Sequence, residues 1–363
     1  MKFWKSNLFL IFSSILFSLF ILEILFSLTI SKPYKHGYFF ERYYLYDQGK
    51  IFQNINNFFK FYPNISVRQD GYYFVKDKFF KEFSYIIKTN NFGLVQNNDI
   101  DENKSSILFL GDSITEGLGS DSWTDMFGDE INGKQIINGG LRGTSAEQSE
   151  LLEKHIAEKF DIEKVVFIYQ GGFIHRDLYQ FTNDDLNCLE NYKACTGNRF
   201  NFGYPLNEKN PNDFLIKMKK ERDKIIKNQK EKFSWKRFRR KIKSNIAQLH
   251  IINIPRTFIK NNFYKSKNEK IIKNFNSIER LIKKYGENII FIRLNSYTEI
   301  VQGKDYYSIY TDKYIKSLTK KHFYCDLENS LDNYYIYDLH PNKQGYEKLF
   351  GCVKKIINKN LKS

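Results

Sequence analysis

Two residues far apart in this chain are of types that could activate one another, a serine and a histidine. Ser113 closes the run Ile107-Leu108-Phe109-Leu110-Gly111-Asp112-Ser113. Its apolar part is short and partly β-branched, the pattern of a buried parallel strand. Such a strand delivers the hydroxyl at its carboxyl end, where open α/β sheets hold their ligands. His340 stands in Asp338-Leu339-His340-Pro341-Asn342, fixed by the proline after it, and has the most structured setting of the six histidines. An imidazole there could act as base toward a serine. A third stretch, Asn138-Gly139-Gly140-Leu141-Arg142-Gly143, has glycines that let a backbone approach a ligand, so the Gly143 N–H could donate to a developing oxyanion. Each signal is weak alone. Gly-Asp-Ser is also an ordinary strand-to-helix turn with Asp112 or Ser113 as cap, and His340 is also an ordinary loop histidine.

The elements that must position these residues can be read from periodicity. Strands are expected at 107–111, 135–138, 164–169, 288–294 and 323–326, and helices at 121–131, 145–159, 268–285, 312–321 and 343–358. Alternation of this kind predicts an α/β domain over 105–358, with a five-stranded parallel sheet and helices on both faces. A helix starting near Ser113 would place the hydroxyl at the positive end of a helix dipole. Ahead of this domain, 37–104 is dense in Tyr and Phe and alternates, which predicts a β-rich lead-in packed on the domain that follows, with a hairpin turn at Asp70-Gly71; aromatics so spaced could instead face a membrane or glycan. Within the domain, 186–265 reads as an insertion. It has a Cys- and Asn-rich loop, then one or two basic amphipathic helices carrying Lys217, Lys220, Lys224, Trp235, Arg237, Arg239 and Arg240.

Composition narrows the partners. The chain has 363 residues, 17% of them aromatic, and a formal charge of +16. That balance points to anionic partners such as lipid headgroups, acidic glycans or nucleic acid. Nucleic acid is not expected, because no nucleic-acid-binding motif accompanies the charge. The basic insertion is either a solvated helix face or a contact for anionic headgroups. Residues 8–30 are about 23 Leu, Ile, Phe and Ser residues with one charge, Glu23, enough to span a bilayer core of roughly 30 Å. No small-x-small cleavage site follows, so an uncleaved signal-anchor is expected, with 1–7 cytoplasmic and the rest on the extracytoplasmic side as a single-pass membrane protein. The four cysteines show no zinc spacing, and neither a metal nor another cofactor is expected. Cys188 and Cys195 could close a small disulfide loop, while Cys325 and Cys352 read equally as buried thiols or a pair.

Taken together, the motifs resemble the SGNH hydrolases, also called GDSL esterases and lipases, over roughly 105–180 and 286–358. Gly111-Asp112-Ser113 with Gly117 and Trp123 is similar to the family's first block, Asn138 to Gly143 to its second, and His340-Pro341-Asn342 with Gly345-Tyr346 to its fifth. The resemblance implies a flavodoxin-like three-layer α/β/α sandwich acting on acyl esters without a metal. It implies Ser113 as nucleophile and as one oxyanion donor, Gly143 as another donor, and His340 as base. Two departures stand out. The third block's oxyanion asparagine is missing from Gly172-Phe173-Ile174, and Gln170 could supply a carboxamide to the oxyanion from nearby. The family's acid usually lies three residues before the histidine, at Tyr337 here, while Asp338 lies two before. Asp338 could orient His340, or the pair could act as a dyad. The expected function is therefore hydrolysis of an acyl ester on a cell-envelope glycan or lipid. An O-acyltransferase of surface polysaccharide and a catalytically impaired binding or scaffold protein are the alternatives.

Overall fold

The computed structural model describes residues 2–29, 41–128, 130–131, 133–196, 203–206, 210–230, 269–304 and 306–360. The chain divides into two compact units, Met1–Tyr38 with Lys227–Lys265, and Phe39–Ile226 with Ser266–Ser363. The first unit contains helix α1 (Lys2–Thr29). Consecutive apolar side chains of α1, such as Leu10 (58%), Ile11 (60%) and Phe12 (60%), are exposed, so no single face is hidden. Among the described residues no helix is long and apolar enough to cross a membrane. In α1 the continuous run of described side chains is 10–25, about 24 Å of helix and shorter than a bilayer core. The span expected over 8–30 extends beyond it, as do the insertion's basic residues from 231 onward.

The second unit opens with strands β1 (Glu41–Tyr46), β2 (Phe52–Ile55), β3 (Phe58–Phe61), β4 (Ser66–Val75) and β5 (Lys78–Lys88). Then come β6 (Ser106–Gly111), the short helix α2 (Ser113–Glu116), β7 (Glu130–Ile131), β8 (Lys134–Gly140), α3 (Ala146–Ala157) and β9 (Ile162–Tyr169). Next are α4 (Asn183–Glu190), β10 (Tyr204–Pro205), α5 (Pro211–Lys230) and α6 (Glu269–Tyr285). The chain continues through β11 (Ile289–Leu294), α7 (Tyr297–Gln302), α8 (Tyr306–Leu318), β12 (His322–Cys325) and α9 (Lys343–Asn360).

The main sheet runs β12-β11-β9-β6-β8-β7. Five strands pair in parallel, and two-residue β7 adds an antiparallel edge to β8. In chain order the parallel strands lie 2-1-3-4-5, the flavodoxin order. Alternate residues of the same strands serve two cores. Leu108, Leu110, Val165 and Phe167 face α3 and α6, whereas Ile107, Phe109, Val166 and Ile168 face Trp123 and α9. On α9 the buried residues Tyr346, Leu349, Val353 and Ile357 recur at three- and four-residue steps, each burial contributing about 1.5–3 kcal/mol.

Several expected elements differ in detail. The helix over 121–131 is only a 3₁₀ segment, Trp123–Phe127, and the helix beginning at Ser113 ends after four residues at Gly117, whose φ is 94°. A helix that short carries little macrodipole. The fourth helix starts at Tyr306, six residues ahead of 312. Asp70-Gly71 is not a turn. It lies inside β4, which pairs with β5 as far as Val75↔Lys78, and the hairpin turns at Lys76 and Asp77. Asp70 is buried and accepts from Ser84 Oγ at 2.6 Å, while the Phe83 ring occupies the space over Gly71, so this pair makes a register shift instead.

The lead-in and the start of the insertion form one layered body. A second sheet runs β10-β1-β4-β5. One face, with Tyr44 and Tyr46, joins the core that holds α3; the other, with Tyr43 and Leu45, packs on Cys188, Cys195, Phe214, Leu215 and Met218. Both faces of β1 are thus covered, which is why Tyr43-Tyr44-Leu45-Tyr46 is buried throughout. Both cysteine pairs are disulfides, Cys188–Cys195 and Cys325–Cys352.

Candidate active site

The β6–α2 turn places Ser113. Asp112 is the helix cap, its Oδ1 accepting from the Ile114 N–H at 3.0 Å, which leaves the Ser113 hydroxyl uncommitted to capping. Trp123 fixes the far side of the turn by donating Nε1–H to the Ile114 carbonyl at 2.9 Å. Gly140 lies so close to α2 that a Cβ there would stand 2.1 Å from the Glu116 nitrogen. The glycine lets the 138–143 stretch lie directly on the helix that carries Ser113. Asn138 is buried and structural, donating from Nδ2 to the Val95 carbonyl at 2.8 Å.

From the other end of the unit, the 334–341 loop brings His340 to the same place. Ser113 Oγ lies 2.7 Å from His340 Nε2. His340 Nδ1 is hydrogen-bonded to Asp338 Oδ1. With a carboxylate on Nδ1 that nitrogen carries the proton, so Nε2 is the acceptor facing the hydroxyl. The two-residue spacing works because Leu339 is left-handed, φ 68°, folding Asp338 back beside the ring of His340. The loop is closed by the Tyr335 N–H on the His340 carbonyl at 2.9 Å and the Leu339 N–H on the Tyr335 carbonyl at 3.1 Å.

Asp338 is buried, and its second oxygen is not left bare. Oδ2 accepts from the Tyr44 hydroxyl at 2.5 Å and from the Tyr73 hydroxyl. Glu82 accepts from the N–H groups of Tyr337 and Asp338, each at 2.9 Å. Burial alone would push the Asp338 carboxyl up. The charge and hydrogen bond of His340, the Arg42 charge and the Tyr44 hydroxyl outweigh it and hold Asp338 well below the usual carboxylate range. Burial also holds both phenols well above the usual tyrosine range, with the Asp338 charge adding to it, so they stay O–H donors.

The turn bearing Gly143 is anchored through Arg142. Its guanidinium is buried and paired with Glu116, which also accepts from the Arg142 N–H at 2.7 Å. Arg142 Nη1 donates to Tyr46 Oη and Gln69 Oε1, each at 2.7 Å, and Nη2 to Tyr85 Oη at 3.2 Å. Gly143 itself has φ 72° and is exposed, and its N–H and that of Ser113 have no hydrogen bond to another described residue. Arg176 links the two turns, Nη1 lying 2.6 Å from Asp112 Oδ2 and 3.1 Å from the Thr144 carbonyl.

The arrangement thus has a hydroxyl, an imidazole and a buried carboxylate in series, the order that acyl transfer uses. Solved structures similar to this chain include a lipase/acylhydrolase from Enterococcus faecalis, 12% identical with a TM-score of 0.36, covering 70% of this chain and 96% of its own. Another is a protein named as an acylhydrolase from Bacteroides fragilis, 15% identical with a TM-score of 0.33, covering 72% and 90%. No family model and no curated protein matches the chain.

Of the residues marked by sequence, Ser113, His340, Asp338 and the Gly143 turn are brought together. Gln170 is half-buried at the N-terminus of the 3₁₀ segment Gly171–His175, and among the described residues no hydrogen bond joins it to Ser113 or Gly143. The missing asparagine has no side-chain substitute in its own block, because Phe173 and Ile174 are both buried apolar residues. Sequence reasoning missed Tyr44, Tyr73, Glu82 and Arg176. The phenols lie 294 and 265 residues from Asp338, and nothing in their local pattern separates them from the other lead-in aromatics. Arg142 left a signal that could have been used, a lone cation in an otherwise apolar and glycine-rich block, with Glu116 similarly placed after Ser113. Among the described residues no group of three or more His, Cys, Asp or Glu could hold a metal ion.

Proposed function

We propose that the chain is a membrane-anchored serine esterase of SGNH type, acting on an acyl ester of a cell-envelope glycan or lipid. The observation that carries this reading is the 2.7 Å approach of Ser113 Oγ to His340 Nε2, with Asp338 on the opposite ring nitrogen. His340 takes the Ser113 proton as Oγ attacks the ester carbonyl, and Asp338 stabilises the imidazolium that forms. The free N–H groups of Ser113 and Gly143 receive the oxyanion. The imidazolium then protonates the departing alcohol, leaving an acyl-serine. Water, giving its proton to His340, releases the acid; an acceptor hydroxyl in its place would carry the acyl group away.

Other features support the wider assignment. The exposed apolar side chains over 10–25 of α1 support the anchor read in 8–30. Two disulfides fit an oxidising, extracytoplasmic setting. Lys217, Lys220 and Lys224 are exposed on α5, where they could meet anionic headgroups.

The test is turnover of p-nitrophenyl acetate and acetylated glycans by the parent, Ser113→Ala and His340→Ala. Either variant is expected to lose activity on the order of 10⁶-fold, as when such a nucleophile or base is removed from a protease. A fluorophosphonate should label the parent and not Ser113→Ala. Equal turnover in all three proteins removes both residues from catalysis, and an unlabelled parent favours a binding protein. A labelled donor with a glycan acceptor separates hydrolysis from transfer.

A further inference from the structure

We infer that the phenols of Tyr44 and Tyr73 are positioning residues of the reaction centre, contributed by the lead-in sheet to orient Asp338 and, through it, His340. This rests on the esterase reading above and extends it to residues outside the α/β body.

The geometry is specific. In the antiparallel pairing of β1 with β4, Tyr44 stands opposite Gly71 and Arg42 opposite Tyr73. Tyr44 and Tyr73 are therefore diagonal neighbours on one face of the sheet, a separation aromatic side chains can bridge. Both hydroxyls converge on Asp338 Oδ2, while Oδ1 is given to His340. A carboxylate free to rotate could present either oxygen to the imidazole in a range of directions. With two donors on one oxygen and a peptide N–H of the same residue held by Glu82, only one orientation satisfies every group. All three side chains are at most 5% exposed, so water cannot take the place of a lost phenol without entering the core. The Leu339 turn brings the carboxylate beside the ring, and the phenol pair fixes which oxygen it presents.

The test uses the full chain with Tyr44→Phe, Tyr73→Phe and the double variant, and with Tyr43→Phe as control, a phenol on β1 whose hydroxyl meets Glu41. Hydrogen bonds to charged groups are strong enough that each phenol is expected to be worth about tenfold in kcat. The double variant should lose about a hundredfold, with KM changed by no more than about twofold. The low-field proton resonance of His340 Nδ1–H, assigned by its loss in His340→Gln, should shift in the phenol variants and not in Tyr43→Phe. Melting temperatures of the single variants show that they are folded. An unmoved resonance in the folded variants overturns the proposal, as does an unchanged kcat in an active parent. The resonance is read without turnover, so a chain that proved not to be an esterase would still report whether the phenols hold the pair.

Discussion

At Asp338 a buried carboxylate is shared between an imidazole on one oxygen and two phenols on the other. Because its pKa is held well below the usual carboxylate range, it is ionised wherever an assay would be run, and its support for His340 is lost only in strong acid. Asp338→Asn is expected to lower kcat by about 10⁴, the cost of the same exchange in a protease triad, with KM nearly unchanged in steady-state assays. Restoring the asparagine absent from the third block should not help. Ile174 is fully buried, so Ile174→Asn would place a carboxamide in the core and cost about 3 kcal/mol, seen as a lower melting temperature without a gain in turnover. The hydroxyl and the imidazole were legible in sequence because each sits in a local motif. The partners of Asp338 were not, since convergence across 265 residues leaves no local trace.

At the scale of elements, the central strands were legible because 107–110, 165–169 and 289–292 are uninterrupted apolar runs, and the shorter strands at 135–138 and 323–326 because they fall in step with the alternation of strand and helix. The α2 region was not, since Ser113 to Phe127 has helical spacing while Gly117 and Gly119 break it into short turns. Asp70-Gly71 misled for a related reason: the pair favours a turn locally, but Ser84 and the Phe83 ring claim it for a strand. Packing of α3 against α6 carries a pH signature. Glu150 on α3 is bonded twice by Arg280 on α6, at 2.7 and 2.6 Å. Burial pushes this carboxyl up, but Arg280, Lys154 and Ser277 bring it down to about 2. A depressed carboxyl contributes stability above its unfolded value, near 4.3, and loses it as pH falls through about 2. Thermal melts from pH 6 to 2 should show that loss in the parent and a shallower one in Arg280→Gln. Arg280 is half exposed, so solvent screening keeps the difference to about 1 kcal/mol.

For the whole molecule, the sequence told class, sheet, a disulfide-compatible setting and a lead-in packed on the α/β body, but not that the insertion's first half shares a core with that lead-in. Charge and composition carry no information about such docking, and aromatic residues read the same whether they face a second sheet or a ligand. The Cys325–Cys352 bond ties β12 to α9 across 27 residues, and Cys325→Ser with Cys352→Ser should cost about 2–4 kcal/mol in denaturant melts. On the anchored-esterase proposal, removing 1–30 should shift the protein from the membrane to the soluble fraction with p-nitrophenyl acetate turnover kept. Arg142 sets a limit on how much further such trimming can go. Cut at 105, the chain would keep Glu116 but lose Tyr46, Gln69 and Tyr85, baring one side of a guanidinium that the intact molecule hides. The smallest chain that keeps the site walled is therefore larger than its motifs imply, and a gene shortened to the motif-bearing part would yield a chain that keeps Ser113 while the wall behind it is gone.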